Sequence, residues 1–115
     1  MAKITLQHIK EAQIRLSGHI LRTPLIEAGP LSRALGIEIR LKLEFLQETG
    51  SFKLRGATNA MLSLDTAKRA RGVVTASSGN HGPGLAYAAS RLGVASTICL
   101  SEMVPDNKIE NVRAN

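Results

Sequence analysis

Residues 72–93, GVVTASSGNHGPGLAYAASRLG, contain three structural signals in succession. The run at 73–76 predicts a short buried strand, and the polar, glycine-rich residues 77–82 predict a turn. Small apolar residues from Pro83 to Leu92 then predict a helix that Gly93 ends. A strand that passes through a glycine turn into a helix is typical of one unit of a parallel α/β sheet.

The same order recurs on both sides of this segment. Apolar residues alternate with charged ones over 37–44, which predicts a strand with one wet face. Apolar residues at helical spacing predict a helix from Ser51 or Phe52 to about Ala70. A second buried strand is predicted at 94–100, and Pro105 opens a further helix. The sequence therefore predicts an α/β fold, with a parallel sheet, right-handed crossovers and flanking helices.

The N-terminal third carries weaker signals. Thr5 is a reasonable N-cap for a helix that runs to about Gly18. The segment 22–25 precedes and includes a proline and reads as extended. Residues 30–36 predict one short helix that Gly36 closes.

Length and composition indicate one cytoplasmic globular unit. The chain has 115 residues, of which 43% are hydrophobic. It shows neither a secretory signal nor the roughly 18 apolar residues that cross a bilayer, so we expect no membrane association. Its single cysteine, Cys99, cannot form an internal disulfide and lies in an apolar run, which predicts a buried thiol in a reducing compartment.

The positive charge does not favour a nucleic-acid partner. The net charge is +6, but the basic residues are scattered apart from a cluster at 68–71. That cluster precedes Gly72, where a helix is expected to end and where cations interact favourably with the helix dipole. The three aromatic residues, Phe45, Phe52 and Tyr87, are too few and too far apart for a stacking platform.

The turn at 77–82 is the first segment that suits chemistry. The free backbone N–H groups at the start of the following helix favour an anion such as a carboxylate or phosphate. The alternative is that Ser78 or Asn80 merely caps that helix, and that Gly79 merely allows a positive φ. The glycine order fits neither a dinucleotide-binding nor a Walker loop. No second His or Cys lies at ligand spacing from His81, so no metal site is expected.

Lys53 is the second candidate. It follows a glycine turn and lies between Phe52 and Leu54, which predicts partial desolvation. Burial disfavours the charged form of an amine, and a neutral lysine amine can attack a carbonyl. The alternative is a surface lysine whose stem lies on apolar neighbours. The position of Arg55 alone gives little further indication of a reactive site at Lys53.

Together these segments resemble a known family. GSFKLRGA at 50–57, followed by SSGNHG at 77–82, resembles the serine/threonine dehydratase group of fold-type II pyridoxal-phosphate enzymes, the group related to the tryptophan synthase beta subunit. The segment 22–25 and the residues Lys42, Glu44 and Gln47 match that pattern as well. The resemblance extends from Arg22 to Lys108, and the runs 82–89 and 104–108 look closest to hydroxyectoine-utilisation dehydratases.

The resemblance implies roles for individual residues. Lys53 would hold pyridoxal 5'-phosphate as a Schiff base and move the α-proton of the substrate. Phe52 would lie against the cofactor ring, and Asn80 would bind the ring hydroxyl. The substrate carboxylate would be bound by a loop made of Ser77, Ser78, Gly79, Asn80 and His81. This loop is the anion site that the turn predicts from its own chemistry.

The reaction implied by the resemblance is an ammonia-lyase reaction. The β-hydroxyl of a small hydroxy-amino acid would leave as water, and hydrolysis would give a 2-oxo acid and ammonia. The cofactor would carry the electronic step while the protein positions the groups and stabilises charge. The complete enzyme would be a cytoplasmic homodimer.

The chain also departs from the family pattern. Pro83 stands where Gln is frequent, and 101–102 is Ser-Glu where many members have Met-Pro. The chain covers about one third of the usual family length, so it is expected to be an incomplete N-terminal portion without the glycine-rich phosphate loop and the partner of the pyridine nitrogen. Residues 1–56 would belong to the large cofactor domain and 57–115 would begin the small α/β domain.

Two alternatives to the dehydratase interpretation remain open at this point. The isolated chain, without those two anchors, is expected to be inactive and to bind the cofactor weakly. It is alternatively a non-catalytic remnant or an association module that pairs through its unfinished sheet. The intact protein is alternatively an amino-acid racemase, because the same lysine and carboxylate loop serve both reactions.

Overall fold

A computed structural model describes residues 3–115 of the chain. Its helices and strands, in chain order, are α1 (Leu6–Arg15), β1 (Leu25–Glu27), α2 (Gly29–Leu35), β2 (Arg40–Lys42), a 3-10 turn (Glu44–Leu46), α3 (Lys53–Leu62), α4 (Thr66–Ala70), β3 (Val73–Ala76), α5 (His81–Leu92), β4 (Ser96–Cys99) and α6 (Asp106–Arg113). The predicted division between residues 56 and 57 falls inside α3 and stays a prediction.

The α/β fold and the parallel sheet are confirmed. β3 and β4 pair in parallel, from Val73 opposite Ser96 to Ala76 opposite Cys99. α5 connects these two strands and contacts both of them. Residues 72–93 therefore form the predicted strand, turn and helix, although α5 begins at His81, two residues before the predicted start.

The strand at 37–44 is much shorter than its alternating pattern predicts, and it does not join that sheet. Only β2 is a strand, and it pairs antiparallel with β1 in a separate two-stranded sheet. All three residues of β2 are exposed, so the predicted buried face is wrong. The length of β2 is limited by its partner strand, because β1 is confined between Pro24, which has no N–H, and the start of α2.

The helix predicted from 51 to about 70 is two helices. α3 ends at Leu62, and the side chain of Asp65 then caps α4 by accepting a hydrogen bond of 2.8 Å from Lys68 N. Arg69 donates to the carbonyls of Leu62 at 2.8 Å and Leu64 at 3.1 Å. The basic cluster therefore serves a helix C-terminus, as predicted, and part of it serves the preceding helix.

Several helix ends follow their local signals. The Thr5 side chain accepts from His8 N and caps α1. Gly36 and Gly93 adopt left-handed conformations, with φ of 68° and 64°, at the ends of α2 and α5. These positions require a residue without a side-chain penalty at positive φ.

The core lies between α3 and α5. Leu54 and Met61 of α3 are fully buried, and together with Ala57 of the same helix they pack against Leu85, Ala88 and Ala89 of α5 and against Val94 after it. Many apolar residues of the N-terminal half are exposed, including Leu25, Ile26 and Leu41 of the antiparallel pair. Within residues 3–115 no helix has the length and apolar character needed to span a bilayer.

Cys99 is exposed, so the predicted buried thiol is wrong. It ends β4, and β4 pairs only with β3 in the described chain. Of the β4 residues only Ile98 is partly buried, because α5 covers one face of this small sheet.

Candidate functional site

The starts of α3 and α5 lie in direct contact. A Cβ placed on Gly84, in the first turn of α5, would be 3.3 Å from Lys53 C, 3.3 Å from Leu54 N and 3.5 Å from Lys53 Cβ. No side chain therefore separates the two helix starts. The structure thus brings Lys53 next to the helix that the 77–82 turn begins, two features that are 24 or more residues apart in sequence.

Lys53 is exposed at the first position of α3. Its Nζ lies 5.3 Å from the centroid of the Phe52 ring, which is itself 60% exposed. The predicted desolvation of Lys53 is therefore wrong for the described chain, because Leu54 alone of the three turns into the core. The amine is left accessible to a ligand.

Two buried hydroxyls lie just before Lys53 in the chain. Thr49 Oγ1 and Ser51 Oγ are buried, and neither has a hydrogen-bond partner within residues 3–115. They flank Gly50, whose φ of +67° and N–H bond of 2.7 Å to Gln47 O form a tight turn. Buried hydroxyls are nearly always paired, so these two are candidates to bind a ligand near Lys53.

Three backbone N–H groups at the 77–80 turn and the start of α5 have no acceptor among the described residues, whereas Ser77 N donates to Cys99 O at 3.1 Å. Ser77 Oγ accepts from Gly79 N at 3.3 Å, while the hydrogen bonds among the described residues give no acceptor to the N–H groups of Ser78, Asn80 and His81. Neither Ser78 nor Asn80 caps α5 with its side chain among the described residues, and Gly79 has no positive φ. Both alternatives that explain the turn by local structure alone are therefore wrong, and free N–H groups at a helix start suit an anion.

A small cavity of about 140 Å³ adjoins this turn. Its walls are formed by the turn itself and by residues of the following elements, namely Pro83, Leu100, Lys108, Asn111 and Val112. Lys108 Nζ lies 3.5 Å from Ser78 O. No sequence motif marks Lys108 as a site residue, although a cation at this position would attract an anion to the turn.

Arg55 has a far more specific environment than its sequence position suggests. Its Nε and Nη2 donate to the two carboxylate oxygens of Glu44, each at 2.7 Å. Thr23 Oγ1 and Gln47 Nε2 also donate to Glu44. These hydrogen bonds, that of Arg55 first, lower the pKa of Glu44 to about 2 against the opposing effect of burial. The sequence signal for this cluster is limited to the family pattern, which includes Thr23, Glu44, Gln47 and Arg55 but does not indicate that they contact one another.

The described residues were also compared with the ligand groups that hold metal ions in proteins. Among the residues from Lys3 onward, no three His, Cys, Asp or Glu side chains are grouped to hold a metal ion. His81 lies at the first position of α5, directly after the 77–80 turn.

Comparison with known proteins gives a consistent result. The model of the pyridoxal-phosphate dependent enzyme family matches residues 16–115. The chain is 48% identical over 110 residues to an L-threonine ammonia-lyase from Thermotoga maritima, covering 96% of this chain and 27% of that protein. It is 43% identical over 112 residues to a serine racemase from Dictyostelium discoideum, covering 97% of this chain and 35% of that one.

The similarity extends to solved structures. The structure of maize serine racemase superposes with a TM-score of 0.90 at 35% identity, over 98% of this chain and 34% of that chain. The chain spans about a third of the length of the curated relatives it matches.

Proposed function

The chain belongs to the family of pyridoxal-phosphate dependent enzymes, and we propose that it forms the N-terminal part of an ammonia-lyase that eliminates water from a small hydroxy-amino acid to give a 2-oxo acid and ammonia. One observation carries this proposal. The backbone contact between Gly84 and Lys53 puts an accessible amine next to the helix that begins at the 77–80 turn.

The residues near Lys53 fit the cofactor. The exposed amine and the neighbouring Phe52 ring are available to pyridoxal phosphate, and Asn80 keeps its side chain free of any helix cap. The hydroxyls of Thr49 and Ser51, which have no partner among the described residues, add donors in the Gly50 turn just before Lys53. We propose that Lys53 holds the cofactor, Phe52 lies against its ring and Asn80 binds its hydroxyl. When bound, the cofactor supplies an electron sink for bond breaking at the α-carbon.

The turn is proposed to bind the substrate carboxylate. The site would consist of Ser77, Ser78, Gly79, Asn80 and His81. Ser77 and Ser78 supply hydroxyls, and the backbone N–H groups of Ser78, Asn80 and His81 have no acceptor among the described residues. A carboxylate bound there has its charge stabilised by the helix start. Such binding orients the substrate so that Lys53 Nζ moves the α-proton, the step in which the chain's own amine acts as base.

The dehydratase assignment is tested on the complete protein that carries this chain. Incubation with pyridoxal phosphate and L-serine or L-threonine is expected to release ammonia and a 2-oxo acid in equal amounts. Lys53→Ala is expected to abolish both products, whereas Lys10→Ala, on exposed α1, leaves them unchanged. Ammonia release that persists at the wild-type rate in Lys53→Ala would contradict the proposal.

A racemase is the second candidate, because serine racemases stand beside threonine ammonia-lyases among the similar proteins. Lys53 and the carboxylate turn serve either outcome. Chiral analysis of recovered L-serine distinguishes them: D-serine without ammonia favours the racemase. A complete protein that forms neither product and captures no cofactor favours the non-catalytic remnant or association module. We propose a cytoplasmic homodimer for the active complete enzyme.

A further inference from the structure

The first turn of α3 lacks the usual local stabilisers of a helix start. Its N-cap residue, Phe52, offers no side-chain hydrogen bond, and no acidic residue lies in the first turn. Two cations, Lys53 and Arg55, lie there instead. Cations at a helix N-terminus interact unfavourably with the helix dipole, so this turn depends on contacts from elsewhere in the chain.

Glu44 supplies the missing carboxylate from outside the helix. It binds both Nε and Nη2 of Arg55 at 2.7 Å, in the paired geometry that a guanidinium makes best. The Glu44 side chain is 15% exposed and that of Arg55 31% exposed, so this pair is partly removed from water. It is the one ion pair of the described residues that has this degree of burial.

Glu44 is itself held in place by buried neighbours. Thr23 and Gln47, each 3% exposed, donate to its carboxylate. Gln47 also exchanges two hydrogen bonds with the backbone of Leu21, at 2.8 Å and 3.2 Å. Lys42 Nζ donates to Thr23 O at 2.6 Å. The carboxylate that receives Arg55 is therefore fixed by hydrogen bonds that join two segments of the chain, 21–23 and 42–47.

Successive residues of a helix point about 100° apart, so the first three residues of α3 face different directions. Leu54 is fully buried in the core and Arg55 is bound to Glu44. Gly84 packs against the backbone of Lys53. The turn is held on these three sides, and the Lys53 side chain alone remains exposed.

We propose that Glu44, acting through Arg55, is a positioning residue that fixes the Lys53 amine for capture of the cofactor and for proton transfer. This inference rests on the proposed function of Lys53. Glu44 and Arg55 touch no reacting atom in this proposal. Their effect is exerted through the backbone of the turn that carries Lys53.

The test uses the complete protein and two variants. Glu44→Gln keeps the size of the side chain and removes its charge, while Arg55→Lys keeps the charge and removes the paired geometry. The control, Glu38→Gln, makes the same change in the exposed Glu38–Arg40 pair. Three quantities are measured for each folded variant: the rate at which the apoprotein captures pyridoxal phosphate, kcat with KM, and the melting temperature.

A small misplacement of a catalytic amine reduces rates strongly, so we expect the capture rate and kcat to fall about 10- to 100-fold in both variants. We expect KM to change by less than about threefold, because substrate binding at the 77–81 turn is not altered. The control is expected to match the wild type in all three measurements. The capture rate separates positioning from stability, because it is measured well below the melting temperature of each variant.

Three results would overturn the proposal. Wild-type capture rates and kcat in folded Glu44→Gln and Arg55→Lys would show that the pair does not position Lys53. Failure of both variants to fold would show that the pair supports the fold as a whole. Failure of the wild-type protein to capture any cofactor would overturn the proposed function itself, and this result is distinguished because it needs no variant.

Discussion

Gly84 and Lys53 are in backbone contact across the two helices that begin the candidate site. A Cβ at position 84 would meet Lys53 C and Leu54 N, each at 3.3 Å. That distance is tighter than ordinary van der Waals contact, and both partners are backbone atoms that cannot rotate away. The close approach of the starts of α3 and α5 therefore depends on glycine at this position.

Gly84→Ala is expected to lower the free energy of unfolding by about 1–3 kcal/mol, because the extra methyl group overpacks the contact. Gly56→Ala provides the matched control in α3. A Cβ there meets nothing within 4 Å, so alanine is expected to raise stability by up to about 1 kcal/mol through helix propensity. Urea unfolding of the complete protein measures both changes. Equal stability of the two variants would contradict this interpretation of the contact.

Gly72→Ala is expected to be more destabilising than Gly36→Ala. Both glycines have positive φ, 78° and 68°, so alanine at either position costs about 1–2 kcal/mol of backbone strain. At Gly72 the added Cβ would also lie 2.7 Å from Ala95 O, where β3 begins its pairing, whereas Gly36 has open space. Thermal unfolding of the two variants gives the difference, and a Gly36→Ala loss as large as that of Gly72→Ala would refute the role of the Ala95 contact.

Glu44 is expected to make stability depend on pH in the acid range. Its pKa is lowered from 4.5 to about 2 in the folded state. The ionised carboxylate therefore stabilises the folded state above about pH 4.5, and this contribution is lost as the pH falls toward 2. Because Arg55 is partly exposed and screened, we expect a loss of about 1–2 kcal/mol.

The comparison that isolates Glu44 is the wild type against Glu44→Gln, with urea unfolding at several pH values. The wild type is expected to lose more stability than the variant on acidification. Glu38→Gln, in its exposed pair, is expected to follow the wild-type curve. Parallel curves for wild type and Glu44→Gln would show that Arg55 does not lower the pKa of Glu44.

Asn80→Ala is expected to weaken cofactor binding without loss of stability. The Asn80 side chain makes no cap for α5, so its removal leaves the fold intact, whereas Asp65→Ala removes the side chain that caps α4 and is expected to lower the melting temperature. Loss of one hydrogen bond is expected to raise the Kd for pyridoxal phosphate about tenfold. The reverse pattern, an unstable Asn80→Ala with unchanged cofactor affinity, would assign Asn80 a structural role.

The features predicted correctly from sequence are those with a local cause. Thr5 caps α1 and Gly93 ends α5 because a cap or a left-handed residue needs only its own neighbours. The break between α3 and α4 is not predicted because Leu64 continues the apolar spacing of one long helix. The N-cap at Asp65 is an equally local signal, and it indicates instead that a new helix begins there. Such competition is not resolved by periodicity alone.

The features that were missed depend on partners far along the chain. The length of β2 is set by its partner β1. Cys99 is exposed because β4 pairs only with β3 in the described residues. Within the site, the motifs identified Lys53 and the 77–81 turn, but the pairing of Glu44 with Arg55 joins a 3-10 turn to a helix and has no periodic pattern. Family resemblance marked Glu44 without giving its partner.

Trapping the cofactor on the protein is the decisive measurement for Lys53. The complete protein is incubated with pyridoxal phosphate, reduced with sodium borohydride and digested, and the labelled peptide is identified by mass. We expect one stoichiometric label on Lys53, lost in Lys53→Ala and retained in Lys10→Ala. A label on another lysine, a label spread over several lysines, or none in the wild type would contradict the proposal that Lys53 holds the cofactor.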